Sequence, residues 1–324
     1  MSKPSYILSI DQGTTSSRAA IVSENGDIIF QENKEFKQHY PNDGWVEHNP
    51  KDILSTTIHC IQKVIKESGI LISDIVTAGI TNQRETIIAW NKKTGNPIYN
   101  AIVWQDRRTE DICQLLKDNN LSTIIKKKTG LVIDPYFSAS KIQWILENIQ
   151  DAKDLLNEDN LIVGTVDTWL IWNLTNKECH FTDVTNASRT MMYNIEDDCW
   201  DDELLDIFNI PKKILPGVKN STDYFGSISK SFFGNEIPIN GVAGDQQAAS
   251  FEQLCFKKGM IKSTYGTGCF MMMNTGEEMI NSQSNLLSTT AYKLEYEKKY
   301  ALEGSIFNAG TVVQWMRDEM KFYS

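Results

Sequence analysis

No run of apolar residues in this sequence is long enough to cross a membrane. The longest, at 75–80 and 269–273, fall far short of the roughly 18 residues a span needs. The six cysteines, at 60, 113, 179, 199, 255 and 269, include no C-x-x-C pair and no associated histidine cluster. That spacing argues against a zinc or disulfide framework. Histidine is scarce, with four residues at 39, 48, 59 and 180, so a Ser-His-Asp or histidine-metal mechanism has little support. Positive charge is also short: 32 Lys and Arg stand against 42 Asp and Glu, a net charge of −10. Nucleic acid or an anionic membrane is therefore not the expected partner. The opening residues MSKPSYILSIDQG hold one lysine and no apolar core before Asp11, so no signal peptide is read there and the expected location is cytoplasmic.

What is present is an ordinary globular composition, 41 % hydrophobic and 23 % charged, over 324 residues. At about 150 residues per domain this suggests two domains. Residues 6–10, 18–23 and 28–36 read as three strands joined by short turns, the second turn marked by Asn25-Gly26. Asn49-Pro50 opens a helix in which Ile53, Thr57, Cys60, Ile61, Val64 and Ile65 repeat at helical spacing until Gly69. Strands at 75–81 and 86–90 follow, then helices over 106–118, 138–149 and 167–174. Strands and helices in alternation indicate an α/β fold with a mixed sheet covered by helices. A Gly-, Asn-, Ser- and Pro-rich stretch over 216–247 divides the chain into 1–247 and 248–324. The second segment repeats the plan of the first on a smaller scale: strands at 259–265, 269–274, 287–293 and 299–303, then a helix over 310–321 with Val312, Trp315, Met316 and Met320 on one face.

Four constellations can carry chemistry. In Asp11-Gln12-Gly13-Thr14-Thr15-Ser16-Ser17-Arg18 a carboxylate ends a strand and a tight turn offers hydroxyls and amides, which suits phosphate oxygens. A carboxylate beside phosphate requires an intervening cation, so Asp11 implies Mg²⁺. The plain alternative is a polar hairpin turn. Thr264-Tyr265-Gly266-Thr267-Gly268 lies between two further strands and lacks the third glycine of a dinucleotide fingerprint. It reads either as a second phosphate turn or as a Gly-rich hairpin. Asp245, after Gly241-Val242-Ala243-Gly244, is placed as a general base in a cleft or as a helix cap. Arg84 and Glu85, with Trp104 and Tyr136, match a polyol's hydroxyls and carbon face, or else form a surface ion pair beside core aromatics.

Taken together, DQGTTSSR (11–18), GITNQRET (79–86), AIVWQDRRT (101–109), GTVDTWLIWNLT (164–175), TDVTNASRTMMYN (182–194), GVAGDQQAA (241–249), STYGTGCF (263–270) and LEGSIFNAG (302–310) resemble the glycerol-type members of the FGGY carbohydrate kinase family, from end to end of the chain. The resemblance implies an actin/Hsp70-like (ribonuclease H-like) ATPase fold with a five-stranded mixed sheet in the first domain and an incomplete second domain. It implies ATP-dependent phosphorylation of glycerol to sn-glycerol 3-phosphate, with the alternative of a non-catalytic, glycerol-binding fragment. Family members continue past the position of Ser324 with residues that grip adenosine. By the same resemblance, Asp245 is the base. Arg84, Glu85, Tyr136, Asp245 and Gln246 hold the glycerol hydroxyls, and Trp104 and Phe270 cover its carbons. Thr14, Thr15, Ser16 and Arg18 bind phosphates, while Thr267, Gly310 and Gln314 contact ATP from the second domain. Asp11 organises Mg²⁺. Homo-oligomers are common in the family. Glu236, in Gly234-Asn235-Glu236, stands where some bacterial members carry an arginine that binds fructose 1,6-bisphosphate, so that regulation is expected to be absent.

Overall fold

A computed structural model describes residues 4–266 and 268–322. The first three strands, β1 (Tyr6–Gln12), β2 (Ser16–Ser23) and β3 (Ile28–Glu35), pair antiparallel in sequence order. Helix α1 (Pro50–Ser68) follows. The Asn49 side chain accepts from the amide of Lys51, Pro50 fills the first turn, and Gly69 closes the helix at φ +70°. Its buried stripe of Ile53, Cys60, Ile61 and Val64 joins Leu8, Ile10 and Ile21 in one core. The helix carries the chain back so that the strand Ile75–Asn82 lies parallel to β1, and the strand Ile237–Gly244 lies parallel to that in turn. The expected five-stranded mixed sheet is present, extended by a two-residue edge strand, Ser227–Ile228. Two residues carry no alternation, so the sequence could not announce this sixth strand.

A second sheet of five strands, 38–39, 47–48, 101–102, 87–91 and 161–165, is covered by helices that include Ser138–Asn148 and Glu110–Asp118. The helix expected over 106–118 begins only at Glu110. The Asp106 carboxylate accepts the amides of Val46 and Arg108, which holds the preceding residues in a turn. Helix Val166–Leu174 is buried nearly all round, with Trp169 edge-on to Trp90.

The last part of the chain is a four-stranded antiparallel sheet in the order Ile261–Tyr265, Cys269–Gly276, Lys298–Ile306, Leu287–Lys293, then the helix Gly310–Asp318. That helix is shorter than expected and leaves Val312, Val313 and Trp315 exposed. The helix Asp245–Glu252 connects the two sheet systems; Gly244 stands at its N-cap and Asp245 is its first residue. Among the described residues no helix is long and apolar enough to cross a membrane.

Candidate active site

Three chain reversals meet where β1, the strand Ile75–Asn82 and the strand Ile237–Gly244 end together. At the first, the Gly13 amide donates to the Ser16 carbonyl over 2.9 Å and closes the turn. Thr14 is half-buried there and its Oγ1 accepts the indole N–H of Trp104 at 3.0 Å. Thr15 is exposed, and Ser16 is half-buried. Arg18 is exposed across the hairpin, 4.0 Å from Asp11. Burial raises the Asp11 carboxyl above its ordinary value, and Arg18 offsets part of that rise.

At the second reversal Asn82, Gln83, Arg84 and Glu85 are all buried. The Gln83 amide donates to Gln12, and the Thr86 amide donates to the Arg84 carbonyl in a three-residue turn. This turn forces Glu85 to φ +63°, a left-handed conformation that is costly for glutamate. Ser138 Oγ anchors it by donating to the Glu85 carbonyl at 2.9 Å.

At the third, Gly244 ends its strand and Asp245 opens the helix. A Cβ on Gly244 would lie 2.7 Å from Cγ and Cδ of Arg84, so glycine is needed for the arginine to pass. Arg84 Nε then sits 3.5 Å from Asp245 Oδ1 and 3.7 Å from Glu85 Oε1. Asp245 Oδ1 accepts the amide of Gln246 at 2.7 Å, while Oδ2 makes no hydrogen bond among the described residues. The Asp245 side chain is about one-third open. Burial raises its carboxyl above the ordinary carboxylate value, and Arg84 pulls in the opposite direction.

The sequence did not single out the residues that fix Arg84. Its guanidinium makes a two-point contact with Glu303, at 2.7 and 3.0 Å, and a further bond to Gln247 at 3.1 Å. Arg189, fully buried, donates to Glu85 at 2.6 Å and to Glu303 at 2.9 Å. Burial alone would raise Glu303, but Arg189 and Arg84 outweigh it and hold its carboxyl down at about 2. Lys262, also buried, donates to Gln246 Oε1 at 2.6 Å.

These groups surround a cavity of about 150 Å³. Arg84, Glu85, Trp104, Tyr136, Asp245, Gln246 and Phe270 all line it, joined by Thr14 from the first turn and by Thr264, Gly266 and Gly268 from the second segment. Trp104 packs edge-on against Tyr136 and Phe270, at centroid distances of 5.7 and 6.0 Å. The wall is therefore aromatic on one side and ionic on the other. The Gly310 amide donates to the Gly266 carbonyl at 2.9 Å, which ties the last helix to the glycine turn. Gln314 is exposed on that helix and does not line the cavity. Thr267 lies outside the described residues. Among those described, no cluster of three or more His, Cys, Asp or Glu could enclose a metal.

Known proteins resemble this chain over nearly its whole length. The model of the FGGY family of carbohydrate kinases, N-terminal domain, matches residues 6–252, and that of the C-terminal domain matches 261–323. Glycerol kinase of Rhizobium meliloti (strain 1021) is 54 % identical over 98 % of this chain. Glycerol kinase of Petrotoga mobilis (strain DSM 10674 / SJ95) is 55 % identical over the same share. The crystal structure of Plasmodium falciparum glycerol kinase with ADP superposes with a TM-score of 0.91 at 39 % identity over 98 % of this chain, covering 64 % of that chain. The chain spans 64 % of the length of both curated relatives. A xylulose kinase from Lactobacillus acidophilus shares the fold, with a TM-score of 0.85 at 23 % identity. This chain belongs to the FGGY family of carbohydrate kinases.

Proposed function

We propose that this chain transfers the γ-phosphoryl group of ATP to a terminal hydroxyl of glycerol, giving sn-glycerol 3-phosphate in cytoplasmic glycerol catabolism. One observation carries the reading: Asp245, whose Oδ2 makes no hydrogen bond among the described residues, lines a small cavity whose other walls are donors, acceptors and aromatic rings. At about 150 Å³ the cavity is below the roughly 300 Å³ at which sites for drug-sized ligands begin, which favours a three-carbon triol over a larger sugar. The relatives that are more than half identical over the matched stretch are named for glycerol.

The chemistry follows from the geometry. Arg84, Glu85, Tyr136 and Gln246 hold the hydroxyls, and Trp104 and Phe270 lie against the carbons. Asp245 Oδ2 accepts the proton of the attacking hydroxyl as its oxygen bonds to the γ-phosphorus. The bond from that phosphorus to the bridging oxygen breaks, and ADP leaves. Thr14, Thr15, Ser16 and Arg18 hold phosphate oxygens, and the turn at 266–268 with Gly310, Thr267 and Gln314 contacts the nucleotide from the other side. Asp11, a half-open carboxylate beside the phosphate turn, would hold Mg²⁺, a hard cation that takes carboxylate oxygens. When bound, the ion neutralises phosphoryl charge. The test is ADP release from Mg-ATP with and without glycerol, beside xylulose at equal concentration. Glycerol-dependent release with xylulose inert is expected. Release that is independent of glycerol, or no release, overturns the reading.

A further inference from the structure

Lys262 sits in the strand Ile261–Tyr265, in the second segment, and its side chain crosses to the helix that begins with Asp245. It is 5 % exposed, and a lysine so deeply placed needs a reason. Its Nζ bonds the side-chain oxygen of Gln246 at 2.6 Å, a length typical of charge-assisted bonds. An ammonium has donors and no acceptor, so this contact decides which way the Gln246 carboxamide faces. Oε1 must point to Lys262. Nε2 is then left with two N–H donors and makes no hydrogen bond among the described residues, although Gln246 lines the cavity.

We infer that Lys262 is a positioning residue: from the second segment it locks the Gln246 carboxamide so that its N–H groups, not its oxygen, face the polyol. The inference rests on the glycerol reading above. Without Lys262 the amide can turn over and present an acceptor where a hydroxyl oxygen expects a donor. Burial lowers the Lys262 pKa from its ordinary value and Arg84 adds to that, while Asp245, Glu303 and Cys255 oppose the fall. Because lysine and glutamine come from different segments, the donor set of the pocket is complete only when the two segments are together.

The experiment is a double-mutant cycle on glycerol binding by calorimetry, without nucleotide, using wild type, Lys262→Met, Gln246→Leu and the double variant of the full chain. Lys262→Met is expected to weaken glycerol about threefold to tenfold, the worth of one hydrogen bond. The double variant is expected to bind no worse than Gln246→Leu alone. Two diols add a readout that a merely structural role would not move: 1,3-propanediol lacks the central hydroxyl and 1,2-propanediol lacks a terminal one. Lys262→Met is expected to lose preference for glycerol over one of them by the same factor as its affinity falls. Additive losses in the cycle, or equal weakening toward glycerol and both diols, would overturn the inference while leaving the glycerol site in place. A wild type that binds no glycerol would instead remove the proposed function, and the inference with it. Should Lys262→Met melt below the assay temperature, Lys262→Gln takes its place in the same cycle, with the same outcomes.

Discussion

Two guanidinium groups, Arg84 and Arg189, are buried side by side, and Glu303 makes that arrangement tolerable. Together with Glu85 it balances the two positive charges and leaves Asp245 as the additional anion. Replacing Glu303 with glutamine leaves a buried guanidinium charge without its anion, so Glu303→Gln is expected to lower unfolding stability by about 3–5 kcal/mol, read from the urea midpoint. The sign of the pH effect follows from the depressed carboxyl. Its native value of about 2 lies below the ordinary glutamate value, so its stabilisation is full above that value. It drains away as pH falls from there toward 2. The stability gap between wild type and Glu303→Gln should therefore narrow on acidification; a constant gap would mean that Glu303 acts by packing alone. Neither Glu303 nor Arg189 has a spacing signature, and both sat unremarked within segments that carried the family likeness. A signal was nevertheless present in A-L-E-G-S-I: a single glutamate inside a strand of small and apolar residues is anomalous unless a buried cation faces it.

The elements that place the site are mostly those whose sequence patterns are long. The cap and stop of α1, the Asn25-Gly26 hairpin and the strand Ile75–Asn82 were legible because each combines periodicity with a terminal signal. The second five-stranded sheet was not, since three of its strands are two residues long and owe their existence to neighbours distant in sequence. The reversals are more informative than the strands. Gly244 permits Arg84 to cross the end of the sheet, and any side chain there must displace it. Gly244→Ala is expected to fold, to weaken glycerol binding at least about tenfold through the lost arginine position, and to be detected by calorimetry. Unchanged affinity would show that Arg84 does not need its observed path. Asn49→Ala removes a side-chain cap of α1 and should cost about 1 kcal/mol by denaturant titration without altering glycerol affinity.

At the scale of the molecule, the cavity belongs to neither part of the chain alone. Residues before 252 supply Arg84, Glu85, Trp104, Tyr136 and Asp245, and the later sheet supplies Thr264 and Phe270 as well as Glu303, which holds Arg84 from behind. On the proposed function, separation of the two parts would open the pocket to water, and their contact limits phosphoryl transfer to water. On the proposed function Asp245 is the base, and its raised carboxyl sets the acid side of the reaction: turnover requires the anion, so it should fall off as pH drops through a value above the ordinary aspartate one.

The most direct test of the account is turnover and glycerol affinity measured side by side for wild type and Asp245→Asn. The account predicts that the variant binds glycerol within a few-fold of wild type and loses about 10²–10⁴ in kcat, because the pocket survives and only the proton acceptor is gone. Near-normal kcat in Asp245→Asn would contradict it, and the proton would then have to leave by another group.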